Sequence, residues 1–213
     1  MRLLGTKRSP YVRKVRVFAA ECGLSDMISL EEHAVHLADH SQDVMKINPL
    51  NRIPTLILED GEVLFESLVI GAYLAQRSGR TDLWPDDAAH LRRVMNTHAL
   101  GSGLIDILIL RLVEHAKPPE RVWPEVMEAT SAKIAAVLAH FEQDIDAITA
   151  EDCSLGTLTI GVALDYMDFR FQDMDWRARS PKLATWHQTF TTRASLRDHP
   201  FMDAAPALAG RIR

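Results

Sequence analysis

Cysteine is nearly absent from this chain of 213 residues: Cys22 and Cys153 are its two, far apart and in no CxxC pairing. A dithiol redox pair in thioredoxin spacing, a four-cysteine zinc site and a disulfide framework are thereby excluded, and so few thiols suit a reducing cytoplasm. Long apolar runs are lacking too. The longest, 104–112, is broken by Asp106 and Arg111, and the basic residues Lys7, Arg8, Arg13, Lys14 and Arg16 follow Met1 too closely for a signal-peptide core. Nor is there an excess of positive charge, since 24 Lys and Arg against 29 Asp and Glu leave −5. A nucleic-acid footprint needs a concentrated basic surface, so neither nucleic acid nor membrane is expected as a partner. Internal repeats are missing as well. What is present is ordinary globular composition, 47% hydrophobic and 25% charged, in a chain long enough for one large domain or two small ones.

Two patterns divide the chain. Up to about Gly79, short strand-like runs alternate with helices: a strand at 2–5, a helix at 10–22, a strand at 28–32, an irregular stretch, then strands at 55–58 and 62–65 around Asp60-Gly61. That dipeptide readily takes the positive φ of a tight hairpin turn. A helix from Ser67 to about Gln76 closes the unit. The order βα, β, α, ββα predicts a small mixed sheet with helices packed on it. Residues 79–87 read as a linker by composition. Beyond them only helical periodicities appear, at 88–116, 122–148, 159–171 and 181–192. Three segments result: an α/β domain over 1–78, a linker over 79–87 and an all-helical domain over 88–213.

Three short motifs carry chemistry. Ser9-Pro10 places a preferred N-cap before a preferred first helical residue, which is a complete structural reading by itself. The serine also follows the first strand, where helix-terminal N–H groups stabilise an anion. At Ile53-Pro54 the proline cannot donate to a ladder, so it belongs at a strand start or edge. A trans bond there is plain strand initiation; a cis bond would leave the Ile53 backbone free to pair with an extended, peptide-like ligand. Glu66-Ser67 follows the hairpin, with Ser67 as expected N-cap of the next helix and Glu66 able to accept from an ammonium. An anion site beside a cation site suits an amino-acid terminus, although a capping serine beside a solvated glutamate has the same sequence.

Together the segments 9–16, 48–56 and 65–70, in this order and spacing, resemble the cytosolic glutathione transferases, most nearly bacterial members with a Ser-Pro active-site start. The resemblance extends over the linker Leu83-Trp84-Pro85 and the helical second half. It implies a thioredoxin-like βαβαββα N-terminal domain with a cis bond at Ile53-Pro54, followed by an all-helical C-terminal domain. It further implies glutathione as cosubstrate: the backbone at Ile53 and Pro54 on its cysteinyl part, Glu66 and Ser67 on its γ-glutamyl end, and the Ser9 hydroxyl donating to its sulfur. A thiolate that accepts a hydrogen bond near a helix N-terminus forms more easily and is the nucleophile. Family members with Cys at this position favour mixed-disulfide chemistry. Ser9 cannot form a disulfide, which leaves conjugation, isomerisation or peroxide reduction.

The second substrate, a small hydrophobic electrophile, is expected at a pocket between the domains. Tyr11, Arg13, Ser102, Asp106 and Tyr166 are its candidate residues. His98, Ser102 and Asp106 recur every four residues as one polar row, facing a cleft, a dimer interface or solvent, and Gly101 and Gly103 would admit a close backbone. Arg13 and Lys14 either add positive potential near the thiolate or form a solvated basic face. Thr159 as N-cap of its helix has Val162 three residues on, so half of a capping box is missing. His33, His36, His40, Asp39 and Asp43 share no assured face, and no metal is expected. The resulting expectation is a cytoplasmic, homodimeric glutathione transferase serving detoxification. A non-catalytic binding or regulatory protein of the same fold is the alternative.

Overall fold

The structure is a computed structural model that describes residues 1–36 and 39–203. Its residues form two units, one of Met1–Pro85 with the segment from Ala194, the other of Asp86–Arg193.

The first unit is built on four strands, β1 (Arg2–Gly5), β2 (Ser29–Glu32), β3 (Thr55–Ile57) and β4 (Val63–Leu64), in the order β2-β1-β3-β4. β1 and β2 are parallel, while β3 runs antiparallel to both β1 and β4, with Leu4 opposite Thr55 and Leu56 opposite Leu64. Three helices belong to it: α1 (Pro10–Glu21), α2 (Gln42–Ile47) and α3 (Ser67–Ser78). The expected mixed sheet is present. Its hairpin strands are shorter than the apolar pattern suggests, because the turn hydrogen bonds take Leu58 and Glu62 out of the ladder and put Gly61 at φ 91°. α1 buries Val12, Val15, Val17 and Phe18, and lies so close to β1 that a Cβ on Gly5 would sit 2.5 Å from Val12 Cγ2. α3 ends at Gly79, which takes the left-handed φ of 68° that a helix C-terminus favours.

The second unit comprises α4 (Ala88–His115), α5 (Pro124–Gln143), α6 (Ile145–Ala150), α7 (Leu155–Arg170), α8 (Trp176–Arg179) and α9 (Pro181–Phe190). None of the helices among the described residues is long and apolar enough to cross a membrane. α7 is its centre, buried without interruption from Leu155 to Leu164. α4 lies directly on it through two glycines. A Cβ on Gly101 would be 2.9 Å from Thr159 Cγ2, and one on Gly156 would be 2.8 Å from the Val94 carbonyl oxygen. Gly103 has nothing within 4 Å, so of the two glycines expected to admit a neighbour only Gly101 does. α7 also starts earlier than its periodicity predicts. Ser154 is the N-cap, its Oγ accepting from Thr157 N–H at 3.3 Å while Thr157 Oγ1 accepts from Ser154 N–H at 2.9 Å. The reciprocal capping box is therefore complete, and Thr159 lies inside the helix, donating its hydroxyl to the Leu155 carbonyl.

The helical domain expected to run to 213 does not hold its end: α10 (Ala194–Arg197) packs on α1, and residues 204–213 lie outside the described residues. Arg13 is the fastening. Its Nε donates to the His199 carbonyl at 2.6 Å and its Nη2 to the Leu196 carbonyl at 3.2 Å, with the guanidinium 4.5 Å from the Phe201 ring centre. Arg16 Nη2 donates to His199 Nδ1 at 3.1 Å.

Two outcomes follow from this packing. Gly156→Ala forces a methyl against a backbone oxygen and lowers stability by about 1–3 kcal/mol, read as a lower urea midpoint at unchanged slope. Burial first, then the neighbouring Arg16, holds the His199 imidazole below its ordinary value of 6.5, against the weaker pull of Asp198. The unfolded chain thus binds the proton that the folded chain refuses, so stability falls as pH drops below that value and levels off once the folded imidazole also protonates. His199→Gln flattens this limb in denaturant titrations between neutral and mildly acidic pH.

Candidate active site

The strand register gathers all three motifs at one end of the sheet. β1 ends at Gly5, with Ser9 four residues on; β3 begins at Thr55, directly after Ile53-Pro54; β4 ends at Leu64, with Glu66 and Ser67 next. Because Leu4 pairs with Thr55 and Leu56 with Leu64, these three chain segments all emerge beyond the same row of paired residues. The N-termini of α1 and α3 open at this end, and each brings the positive end of a helix dipole.

Ser9 is the N-cap of α1, its Oγ accepting from the Val12 N–H at 3.4 Å. A hydroxyl that accepts one hydrogen bond still has its own proton to donate. The Ile53-Pro54 peptide bond is cis, as the resemblance implies, and Phe65-Glu66 is also cis. Ser67, expected as the cap of α3, is instead its first residue and 2% exposed; the N-cap is Glu66, whose Oε1 accepts from the Leu68 N–H at 2.9 Å. The reason is reach. A glutamate one position earlier can fold back to the N–H two residues on, and the exposed carboxylate also complements the helix dipole.

Asn48 holds the loop that leads into the second motif, and sequence reasoning assigned it no role. Fully buried, it donates from Nδ2 to the Arg52 carbonyl at 3.1 Å and to Thr55 Oγ1 at 2.9 Å, while Oδ1 accepts from the Leu50 N–H at 3.0 Å. The signal was an asparagine in an otherwise turn-forming segment, a residue able to serve donors and acceptors together.

The acceptor-side residues fare differently. Tyr11 is half-buried and its ring centre lies 5.6 Å from the Lys14 ammonium. Lys14 is itself buried, so the solvated basic face does not form, and the guanidinium of Arg13, 4% exposed, is bound to carbonyls of the 194–203 segment. In the second unit the polar row is graded. His98 is buried, Ser102 is half-buried with Oγ 3.3 Å from His98 Nε2, and Asp106 is exposed. Tyr166 is 3% exposed, with its ring tilted against Phe169 at 6.5 Å between centres, which makes it a core side chain of α7.

Among the described residues, the histidines and aspartates of 33–43 form no group at metal-ligand spacing; Asp165, Asp168 and His187 do. A guanidinium already occupies one carboxylate of that group. Arg177 grips both Asp168 oxygens, the Nη2–Oδ2 contact being 2.6 Å, and Trp176 Nε1 donates to Asp168 Oδ1 at 2.9 Å. Arg177 Nη2 also lies 3.4 Å from His187 Nδ1, and His187 Nε2 lies 2.9 Å from Asp165 Oδ1. This donor set suits a structural network joining α7, α8 and α9 better than a cation.

Asn48→Ala leaves the Leu50 N–H without its acceptor and takes one hydrogen bond each from the Arg52 carbonyl and the Thr55 hydroxyl, which keep their bond to each other, and costs about 1–3 kcal/mol of stability. Thermal unfolding of the variant beside the wild type measures it.

Comparison with known proteins agrees with this geometry. The family model described as glutathione S-transferase, N-terminal domain, matches residues 8–77. A glutathione transferase family member from Pseudomonas fluorescens Pf-5, solved with bound glutathione, is 31% identical and superposes with a TM-score of 0.91 over 95% of this chain and 99% of that one. A glutathione S-transferase from Methylobacillus flagellatus KT, also with glutathione bound, is 34% identical, with a TM-score of 0.84 over 94% of this chain and 99% of its own. The uncharacterized GST-like protein YibF of Escherichia coli K12 is 26% identical over 92% of this chain and 96% of its own length. With its thioredoxin-like sheet domain, its helical remainder and these relatives, the chain belongs to the glutathione transferase family.

Proposed function

We propose that this protein is an active glutathione transferase that lowers the pKa of the glutathione thiol and directs the thiolate at a small apolar electrophile. The observation that carries this reading is the convergence of Ser9, Ile53-Pro54 and Glu66-Ser67 at one sheet end. Relatives with bound glutathione support it.

Each residue has a role that its surroundings allow. The Ser9 hydroxyl donates to the sulfur, its lone pair already engaged by the Val12 N–H, so its proton is oriented outward from the cap. The α1 dipole adds positive potential at the same point, favouring the ionised thiol. Ile53 supplies main-chain hydrogen bonds to the cysteinyl part. Ser67 receives the γ-glutamyl carboxylate at the start of α3. Glu66 keeps Oε1 on the Leu68 N–H and offers Oε2 to the γ-glutamyl ammonium. In the reaction the sulfur's electron pair forms the new S–C bond, while the electrophile's leaving group departs with the pair of the bond that breaks. No covalent bond to the protein is needed. Of the acceptor-side residues, Arg13 and Tyr166 act as packing residues; Tyr11 in the first unit and Ser102 in the second are half-buried, and Asp106 is exposed.

Retention on immobilised glutathione, a thermal shift with millimolar glutathione and turnover of 1-chloro-2,4-dinitrobenzene test the proposal together. All three are expected. Ser9→Ala lowers kcat/KM by about 10- to 100-fold, the value of one hydrogen bond to a charged group, and moves the ionisation seen in the pH profile upward. Binding without turnover makes the protein a glutathione-binding member of the fold, and neither retention nor thermal shift overturns the assignment altogether.

A further inference from the structure

A cavity of 390 Å³ in the first unit is lined by no residue of the three motifs, although Lys7 on its rim is two residues before Ser9. The volume is at the lower end of the roughly 300–1,000 Å³ typical of small-molecule sites. It forms where α1 crosses the β2 edge of the sheet. Leu3 and Leu30 are directly paired across β1 and β2, so their side chains share one face; Ile28, two residues before Leu30, adds to it, and Ala19 closes it from α1. These four make an apolar floor, and Ile28 and Leu30 remain partly uncovered over it.

The rim is charged with both signs. Glu32 lies on the Leu30 face of the edge strand, two residues further on, and Lys7 and Arg16 stand around the same opening. Among the described residues none of these three makes an ion pair; Arg16 feels Glu32 through space and donates its one hydrogen bond to the uncharged His199 Nδ1. Burial is the largest influence on the Arg16 guanidinium and acts against its charge. A half-buried cation with no ion-pair partner among the described residues and an exposed carboxylate, both lining one apolar-floored cavity, offer complementary charges to a ligand that carries both signs.

We propose that this cavity binds a free α-amino acid with an aliphatic side chain. Its carboxylate meets Arg16 and Lys7, its ammonium meets Glu32, and its side chain covers Leu3, Ala19, Ile28 and Leu30. A zwitterion satisfies both ends at once, whereas a simple carboxylate leaves Glu32 unmet and a simple amine leaves Arg16 unmet. No residue of the three motifs lines the cavity, so occupancy there is read separately from turnover at Ser9.

The test is titration of the ¹⁵N-labelled full-length chain with L-leucine, 4-methylpentanoate and 3-methylbutylamine, following the amides of Ala19, Ile28 and Leu30. Saturable shifts with L-leucine are expected, with each singly charged analogue at least about tenfold weaker, the loss of one charged contact. Glu32→Gln and Arg16→Met each weaken leucine by about tenfold, while Glu32→Gln leaves 4-methylpentanoate unaffected. If Arg16→Met does not fold, the exposed Glu32→Gln substitution decides. Absence of saturable shifts with leucine, equal binding of 4-methylpentanoate, or leucine binding unchanged in Glu32→Gln overturns the proposal.

Discussion

The antiparallel register of β3 between β1 and β4 is the constraint on which the proposed chemistry of this protein rests. With Leu4 opposite Thr55 and Leu56 opposite Leu64, three segments distant in sequence leave the sheet at one end. A slip of one residue in either pairing would turn the side chains of β3 to the other face and separate the Ile53-Pro54 segment from its neighbours. The register is held from several sides. Leu3, Leu4 and Leu56 are buried, Gly5 lets α1 approach, and Asn48 ties the loop before β3 to the strand's first residue. Core packing thus positions the site, and the site needs little beyond helix ends and short polar side chains.

Charged residues near that end serve structure as often as chemistry. Arg13 is a residue that sequence reasoning assigns to substrate, yet its guanidinium donates to the Leu196 and His199 carbonyls. A guanidinium offers five donors in a planar fork, so it can bind several carbonyls of a returning chain that no regular element satisfies. The same economy appears in the second unit, where Arg177 binds Asp168 and contacts His187. There one carboxylate of an apparent ligand cluster already has its cation, supplied by the chain itself.

Some elements were legible because their signals are local. The Ser9-Pro10 start of α1, the Asp60-Gly61 turn and the left-handed Gly79 after α3 each depend on one or two residues and their own backbone preferences. The start of α7 was not. Its residues are buried on all sides, so the apolar pattern has no period to mark a boundary, and the Ser154 and Thr157 box was hidden in what looked like a loop. The cap of α3 was misplaced by one residue for a related reason. Serine is the better intrinsic N-cap, but Glu66 reaches the Leu68 N–H and leaves Ser67 as the first helical residue.

The sequence by itself determined the two-part architecture, the family resemblance and the identity of the residues at the three motifs, since each is written in residue type and spacing. Tertiary structure decided which polar side chains remain available for a substrate. His98, Ser102 and Asp106 have the same spacing and pass from buried to exposed along one helix; Tyr166 is enclosed; Arg13 is bound to a segment almost two hundred residues away in the chain. Periodicity can state that residues share a face. What covers that face depends on contacts between distant segments, and these come into existence only when the chain has packed.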